Sequence, residues 1–273
     1  MTDTVLYERR GKVALITLNR PERLNAMDQD MLKALETACD KAEADDEVGA
    51  VVVTGAGKAF SSGFDLQAQA RNTPKGVAEW RPVLRRDFDC TMRFWHMSKP
   101  TVAAVHGPAL AGACELTMAC DITVAAEDAI FGEPEVKFGA GIVTMILPWV
   151  VGPKRAKEII LLGLDDIPAA EAKEMGLINR IVPVGQDVEV ALTLARRMAA
   201  MDRTLIRETK RAVNRTYELM GMGTALESAL EVDMLIEGEG MATKHHFLEI
   251  ARSDGLRAAL KWREERAAEG ERE

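Results

Sequence analysis

Apolar positions in the first part of the chain switch between two periods. In KVALITL (12–18) they fall on both faces of an extended segment, Val13 and Leu15 on one and Ala14, Ile16 and Leu18 on the other. That pattern predicts a strand buried on both sides. Over 28–43, Leu32, Leu35, Ala38, Cys39 and Ala42 recur at helical spacing behind Asp28, a residue suited to an N-cap. GAVVVTGAG (49–57) predicts a short β-branched strand running into a glycine loop. TVAAVHGPA (101–109) repeats that plan, and DITVAAEDAIF (121–131) predicts two more short strands. From about 141 the pattern turns helical. PKRAKEIILLG (153–163) starts on proline and stops on glycine. Further helices are predicted near 168–175, 186–201, 203–219, 223–238 and 243–266, and the charged tail REERAAEGERE is expected to fray. Neither a repeat nor a low-complexity linker interrupts the chain, so the helical part is expected to pack on a mixed α/β core.

Composition narrows the partners. With 47% apolar residues, the 273-residue chain can bury a large core, and its net charge of -8 disfavours nucleic acid and anionic membranes. The start, MTDTVLYERRGK, lacks the apolar core of a signal peptide, and the run GIVTMILPWVVG is too short to span a bilayer. Cys39, Cys90, Cys114 and Cys120 show no CxxC spacing and are expected to be reduced thiols of a cytoplasmic protein. No metal site is expected, because His96, His106, His245 and His246 form no ligand pattern with them.

Two glycine loops follow predicted strands. VVVTGAGKAFSSGFDL (51–66) resembles a nucleotide loop, but Phe60 stands where the dinucleotide fingerprint needs its third glycine, and no GK[ST] follows. What remains is a backbone turning tightly at Gly55, Gly57 and Gly63, either an ordinary strand-to-helix turn or one that presents amides to a cavity. VHGPALAGACE brings Gly107 and Gly112 just ahead of a helix, whose first N–H groups have no intrahelical acceptor. Two such loops side by side would supply the two amides of an oxyanion hole.

Carboxylates accompany both features. With Gly112 as N-cap, Glu115 falls at the capping-box position. Its neighbours Leu116, Met118 and Ala119 instead suit a buried acid, its pKa raised by desolvation and lowered by the helix terminus. In FGEPEVKFGAG, Glu133 and Glu135 flank Pro134, and Glu135 is either the first acid of a helical turn or a second catalytic carboxylate. Sequence spacing alone does not bring Glu115 and Glu135 together.

Taken in order, ITLNRPERLNAM (16–27), GKAFSSGFDL (57–66), HGPALAGACELTMACDITVAAEDAIFGEPE (106–135) and AAEAKEMGLINRIVP (169–183) resemble the crotonase superfamily of enoyl-CoA hydratases and isomerases. The resemblance implies an α/β fold: a crotonase-like spiral of ββα units over 1–200, then a C-terminal helical region, 201–273, that assembles homotrimers or homohexamers. It implies that the amides of Ser62 and Gly112 hold the thioester oxygen. Glu115 then serves the attacking water and Glu135 the C2 proton. Many relatives that isomerise or hydrolyse keep only one of these acids, so the pair favours a hydratase adding water reversibly across the C2–C3 bond of a 2-enoyl-CoA. An enoyl-CoA isomerase or acyl-CoA hydrolase is the near alternative, and a non-catalytic acyl-CoA- or RNA-binding relative the distant one. By the same resemblance coenzyme A, part of the substrate in fatty acid metabolism, lies along RLNA and AFSSGFDL. Arg23 would meet its phosphates, while Leu24, Ala26, Ala59, Ser61, Asp65 and Leu66 line the adenine and pantetheine. No metal or redox cofactor is required, since the thioester itself acidifies C2.

Three stretches depart from the family pattern. Ala113 adds a methyl beside the hole, VKFGAGIVTMILPWVVG replaces a proline- and glycine-rich turn, and Ala258-Ala259 with Trp262-Arg263 replaces Ala-Phe and Lys-Arg pairs. A phenylalanine able to reach a neighbouring site is thereby absent. The segment 67–100, with Trp80, Phe88, Phe94 and Trp95, is either a wall of the acyl pocket or plain helix packing.

Overall fold

A computed structural model describes residues 3–270. The β-branched segments assemble one six-stranded sheet in the order β1 (Val5–Arg10), β2 (Val13–Leu18), β3 (Ala50–Gly55), β4 (Thr101–Val105), β6 (Ile122–Ala126) and β9 (Arg180–Val182). The β1–β2 pair is antiparallel and every other pair parallel. The two-sided burial predicted for β2 follows from what covers each face. Ala14, Ile16 and Leu18 pack in a core with Val51, Val53 and the apolar stripe of α1 (Gln29–Ala44). Val13, Leu15, Ala50 and Val52 face Ala191, Leu192 and Ala195 of α7 (Asp187–Ala199). Asp28 does cap α1, accepting a bond from the Met31 amide at 2.9 Å.

A second, small sheet runs β5 (Pro108–Leu110), β7 (Ile130–Gly132), β8 (Ile167–Pro168). It is the element that positions the site. Its parallel register sets Leu110 opposite Gly132, just ahead of α4 (Gly112–Ala119) on one strand and of Glu133 on the other. A bridge between Ser61 and Ala109 brings the first glycine loop alongside.

The mixed α/β core with a helical C-terminal region matches expectation. Its details depart in three places. The helix expected over 153–163 is the second half of α5 (Leu147–Leu162), bent at Gly152, whose φ of 79° breaks the helix before Pro153. After α6 (Ala169–Glu174), α8 (Arg203–Leu219) and α9 (Met222–Glu239), the single helix expected at 243–266 is two. They are α10 (Ala242–Ser253) and α11 (Leu256–Gly270), separated at Gly255 with φ 90°. The tail expected to fray is helical through Gly270, and 271–273 lie outside the described residues. Between α2 (Leu66–Arg71) and β4 lies α3 (Gly76–His96), a helix of 21 residues. Its Trp80, Phe88 and Phe94 are core residues, and only Leu84 and Asp87 of this segment's second half reach the cavity described below. Among the described residues no helix is long and apolar enough to cross a membrane.

Candidate active site

A cavity of about 430 Å³ opens between the two glycine-loop motifs and the last helices. Its floor comes from Ser62, Phe64, Leu110, Ala111 and Glu135, and its far side from Asp233, Lys244, Leu260 and Arg263. A larger cleft of about 810 Å³ under α8 is lined by His96 and the exposed charges Arg207, Glu208 and Arg211. It contains none of the buried acids described next.

Three carboxylates converge although they leave different elements. Glu115 stands one turn into α4, and Glu133 and Glu135 straddle Pro134 at the end of β7. One oxygen of each lies within 4.8 Å of the others. All three are buried. Glu135 is on the cavity wall, whereas Glu115 and Glu133 stand behind it. The capping reading of Glu115 is overturned: Ala111 is the N-cap, and both Glu115 oxygens accept no hydrogen bond.

Burial dominates the acid–base properties of this cluster. It drives Glu115 well above the ordinary carboxylate range; the charge of Glu135 adds to the rise, and adjacent Thr144 opposes it. Burial likewise raises Glu133, with Glu135 and Glu115 adding and Cys114 opposing. Glu135 is pushed up to about 8 by burial; its own amide, Lys244 and Arg263 oppose the rise, and Asp233 adds to it. Like charges this close cannot all be ionised, so the cluster holds protons at neutral pH. Three oxygens at this spacing would also suit a hard cation, although no histidine or thiolate joins them.

The amides of the first loop are not equivalent. Ser61 N–H donates to Pro108 O, Ser62 N–H to Leu24 O at 2.9 Å, Gly63 N–H to Ser61 Oγ at 3.1 Å and Asp65 N–H to Met27 O. Ser62, expected to donate to the substrate, therefore already has an acceptor. Phe64 is the one residue of 61–65 whose amide has none among the described residues. Gly63 turns the chain here with a φ of +88°, between its own bonded amide and the free amide of Phe64. The Gly112 amide, first of α4, also lacks an acceptor, and a Cβ placed on Gly63 would sit 3.5 Å from that nitrogen. Ala111 precedes it at φ 56°, ψ -136°, a strained conformation for a residue with a side chain.

The residues expected along coenzyme A divide in two. Arg23, Leu24, Ala26, Asp65 and Leu66 line the cavity; Ala59 and Ser61 do not. Both are fully buried in the frame behind it, where the side-chain amide of Asn25 donates to Ala59 O at 2.8 Å and the Ser61 hydroxyl to Asn25 O at 2.8 Å. Asp65 also caps α2 and pairs with Arg20 at 3.0 Å. Arg23 is exposed and donates to Gln67. Sequence reading assigned nothing to Asp87, Asp233, Glu237 and Lys244, all buried and all on the cavity wall. Their signal was faint but present. Asp233 and Glu237 fall on the same stripe of α9 as Leu226, Leu230 and Met234.

Comparison with known proteins places this geometry. A family model described as enoyl-CoA hydratase/isomerase matches residues 8–246. The crystal structure of an enoyl-CoA hydratase/isomerase from Xanthobacter autotrophicus Py2 superposes with a TM-score of 0.95 at 61% identity, covering 96% of this chain and 98% of that one. A Thermus thermophilus protein that carries an enoyl-CoA hydratase name is 44% identical over 78% of this chain and 84% of its own. The short-chain-enoyl-CoA hydratase of Clostridium acetobutylicum is 35% identical over 89% of this chain and 91% of its own. The fold is therefore that of the crotonase superfamily. Within it, the chain belongs to the enoyl-CoA hydratase/isomerase family.

Proposed function

We propose that the protein is an enoyl-CoA hydratase, adding water reversibly across the C2–C3 double bond of a 2-enoyl-CoA. One observation carries this reading: two buried carboxylates from separate elements, Glu135 on the cavity wall and Glu115 behind it, meet near two amides that lack acceptors. The thioester oxygen accepts from the N–H groups of Phe64 and Gly112. Water attacks C3 as its proton passes to Glu115, and the π electrons move onto the thioester as an enolate. Two fixed amides stabilise that charge where it develops. Glu135 then gives its proton to C2, restoring the carbonyl, and the acids exchange protons before the next turnover. The charge of Glu135 adds to the rise of Glu115, which supports a pair that does not carry two negative charges at once.

Coenzyme A belongs to the substrate, and the chemistry asks for no resident metal or redox group. We assign its docking to Arg23, Leu24, Ala26, Asp65 and Leu66 at the cavity's near side. Four free, buried cysteines support a reducing, cytoplasmic setting. A homotrimer, or a pair of them, is supported by α8, which buries none of its residues while exposing Leu205, Val213 and Leu219.

The test is spectrophotometric loss of the conjugated thioester of crotonyl-CoA, with the 3-hydroxyacyl product identified. Glu115→Gln and Glu135→Gln are each expected to cut kcat by about 10²-fold or more. Unchanged activity in both variants overturns the reading, and consumption without a 3-hydroxy product assigns hydrolysis instead. Interconversion of 2-enoyl and 3-enoyl isomers without hydration assigns an isomerase.

A further inference from the structure

Behind Glu135 the cavity does not end in an apolar wall. Asp87 of α3 and Asp233 and Glu237 of α9 line it, buried to 5%, 2% and 7% exposure. The cation buried among them is Lys244, whose Nζ donates to Glu237 Oε1 at 2.7 Å and faces the rings of Trp80 and Phe138. Asp87 accepts from the Gln29 side-chain amide at 2.9 Å. Arg263 is held by Asp165 and Arg23 by Gln67.

Asp233 has no such partner. Both its oxygens are buried and accept no hydrogen bond. Gly141, on the same wall, makes room for them: a Cβ there would lie 2.1 Å from Asp233 Oδ1. That glycine does not have a positive φ, so what its missing side chain supplies is space and not a turn. Asp233 is also near enough to Glu135 and Glu115 to bear on the ionisation of both. Glu135 and Asp233 line the same cavity, so an acyl chain seated there shares its space with this carboxylate.

Burying a carboxylate without a partner costs several kcal/mol, and a plain alkyl chain would seal Asp233 in that condition. Charge balance says which partner is missing. Glu135, Asp87, Asp233 and Glu237 line the cavity as buried acids, with Glu115 and Glu133 buried behind them, against one buried cation, Lys244. The deficit is of hydrogen-bond donors.

Building on the hydratase reading, we propose that the acyl group of the natural substrate carries a hydrogen-bond donor, a hydroxyl or an ammonium, and that Asp233 receives it. A site built around such a bond discriminates against the analogue lacking it far more sharply than an apolar pocket discriminates by size.

The test uses the full-length protein and three medium-length 2-enoyl-CoA thioesters of matched size, ending in a methyl, a hydroxyl or an ammonium group. Wild type is expected to favour one polar probe over the methyl probe by about 10²-fold in kcat/KM. Asp233→Asn retains an acceptor oxygen but no charge, so it keeps a hydroxyl preference and abolishes an ammonium preference, which tells the two donors apart. Asp233→Leu is expected to favour the methyl probe. Dissociation constants for the saturated thioesters with the same three ends are measured in parallel. If no probe, crotonyl-CoA included, is hydrated, the hydratase reading fails while the order of these constants still decides the acyl group. A wild-type protein that handles or binds the methyl probe as well as both polar ones overturns the proposal. The wild-type ranking decides this even where Asp233→Leu does not fold.

Discussion

The ring of Phe64 rests against the Cα of Gly112: a Cβ built on that glycine would lie 2.3 Å from Cε2 and 2.7 Å from Cζ. The two residues that present acceptor-free amides thus also pack on each other, and the spacing of those amides depends on that contact. Gly112→Ala is expected to lower Tm and to reduce kcat/KM by about 10²-fold or more. In the double variant Phe64→Ala/Gly112→Ala the clash is gone, so Tm recovers more than activity does. Thermal melts alongside kinetics measure this, and equal recovery of both would show that the ring sets stability alone.

Glu133 touches no cavity surface, yet one of its oxygens lies within 4.8 Å of oxygens of Glu115 and Glu135. Glu133→Gln removes a group whose ionisation competes with that of its neighbours, which makes each remaining carboxylate easier to ionise. Both limbs of the pH profile of kcat/KM are expected to move toward acid, by ~1 pH unit. A profile that stays in place would remove Glu133 from the coupled set.

Burial raises Asp87 and Asp233 to about 7 each from an ordinary value near 3.8. Between these limits the folded protein holds protons that the unfolded chain has released. Their contribution to stability is therefore complete below the unfolded value and lost as pH rises through about 7. Tm is expected to fall from weakly acidic to weakly alkaline buffer. Asp87→Asn and Asp233→Asn should each flatten that slope, which calorimetry across the range would detect.

On α8 and just beyond it, Leu205 at 66%, Leu219 at 72% and Met220 at 65% are exposed beside charged neighbours. Leu219→Glu with Met220→Glu is expected to lower the particle mass in light scattering to that of one chain. An unchanged mass would move the assembly surface elsewhere.

The strands and most helices were legible because their apolar periodicity was strong and their caps ordinary, as with Asp28 ahead of α1. Helix α3 escaped because Pro82 and a polar face interrupt its pattern, although its apolar residues point into the core. At the site, the sequence singled out Glu115 and Glu135, which packing brings together, and Gly112, whose amide lacks an acceptor, but also Ser62, whose amide is already bonded. Whether Ser62 or Phe64 keeps a free N–H depends on which carbonyls approach, and Leu24 O and Met27 O come from a segment nearly forty residues earlier. The acids of α3 and α9 were assigned nothing, because only tertiary packing buries them on the cavity wall. An acidic residue on an apolar stripe is the local sign of that outcome.

The buried pair Lys244–Glu237 joins α10 to α9 at 2.7 Å, with both side chains at 5% exposure or less. Removing one partner of such a pair costs about 3–5 kcal/mol. Its position also imposes an order in time. The floor of the cavity is complete in the growing chain by Gly141, whereas Asp233, Lys244, Leu260 and Arg263 emerge about a hundred residues later. A chain still being synthesised thus holds the residues of the floor without the helices that supply the cavity's far side. The ion pair joins two of the last helices, so it can form only after both have been made.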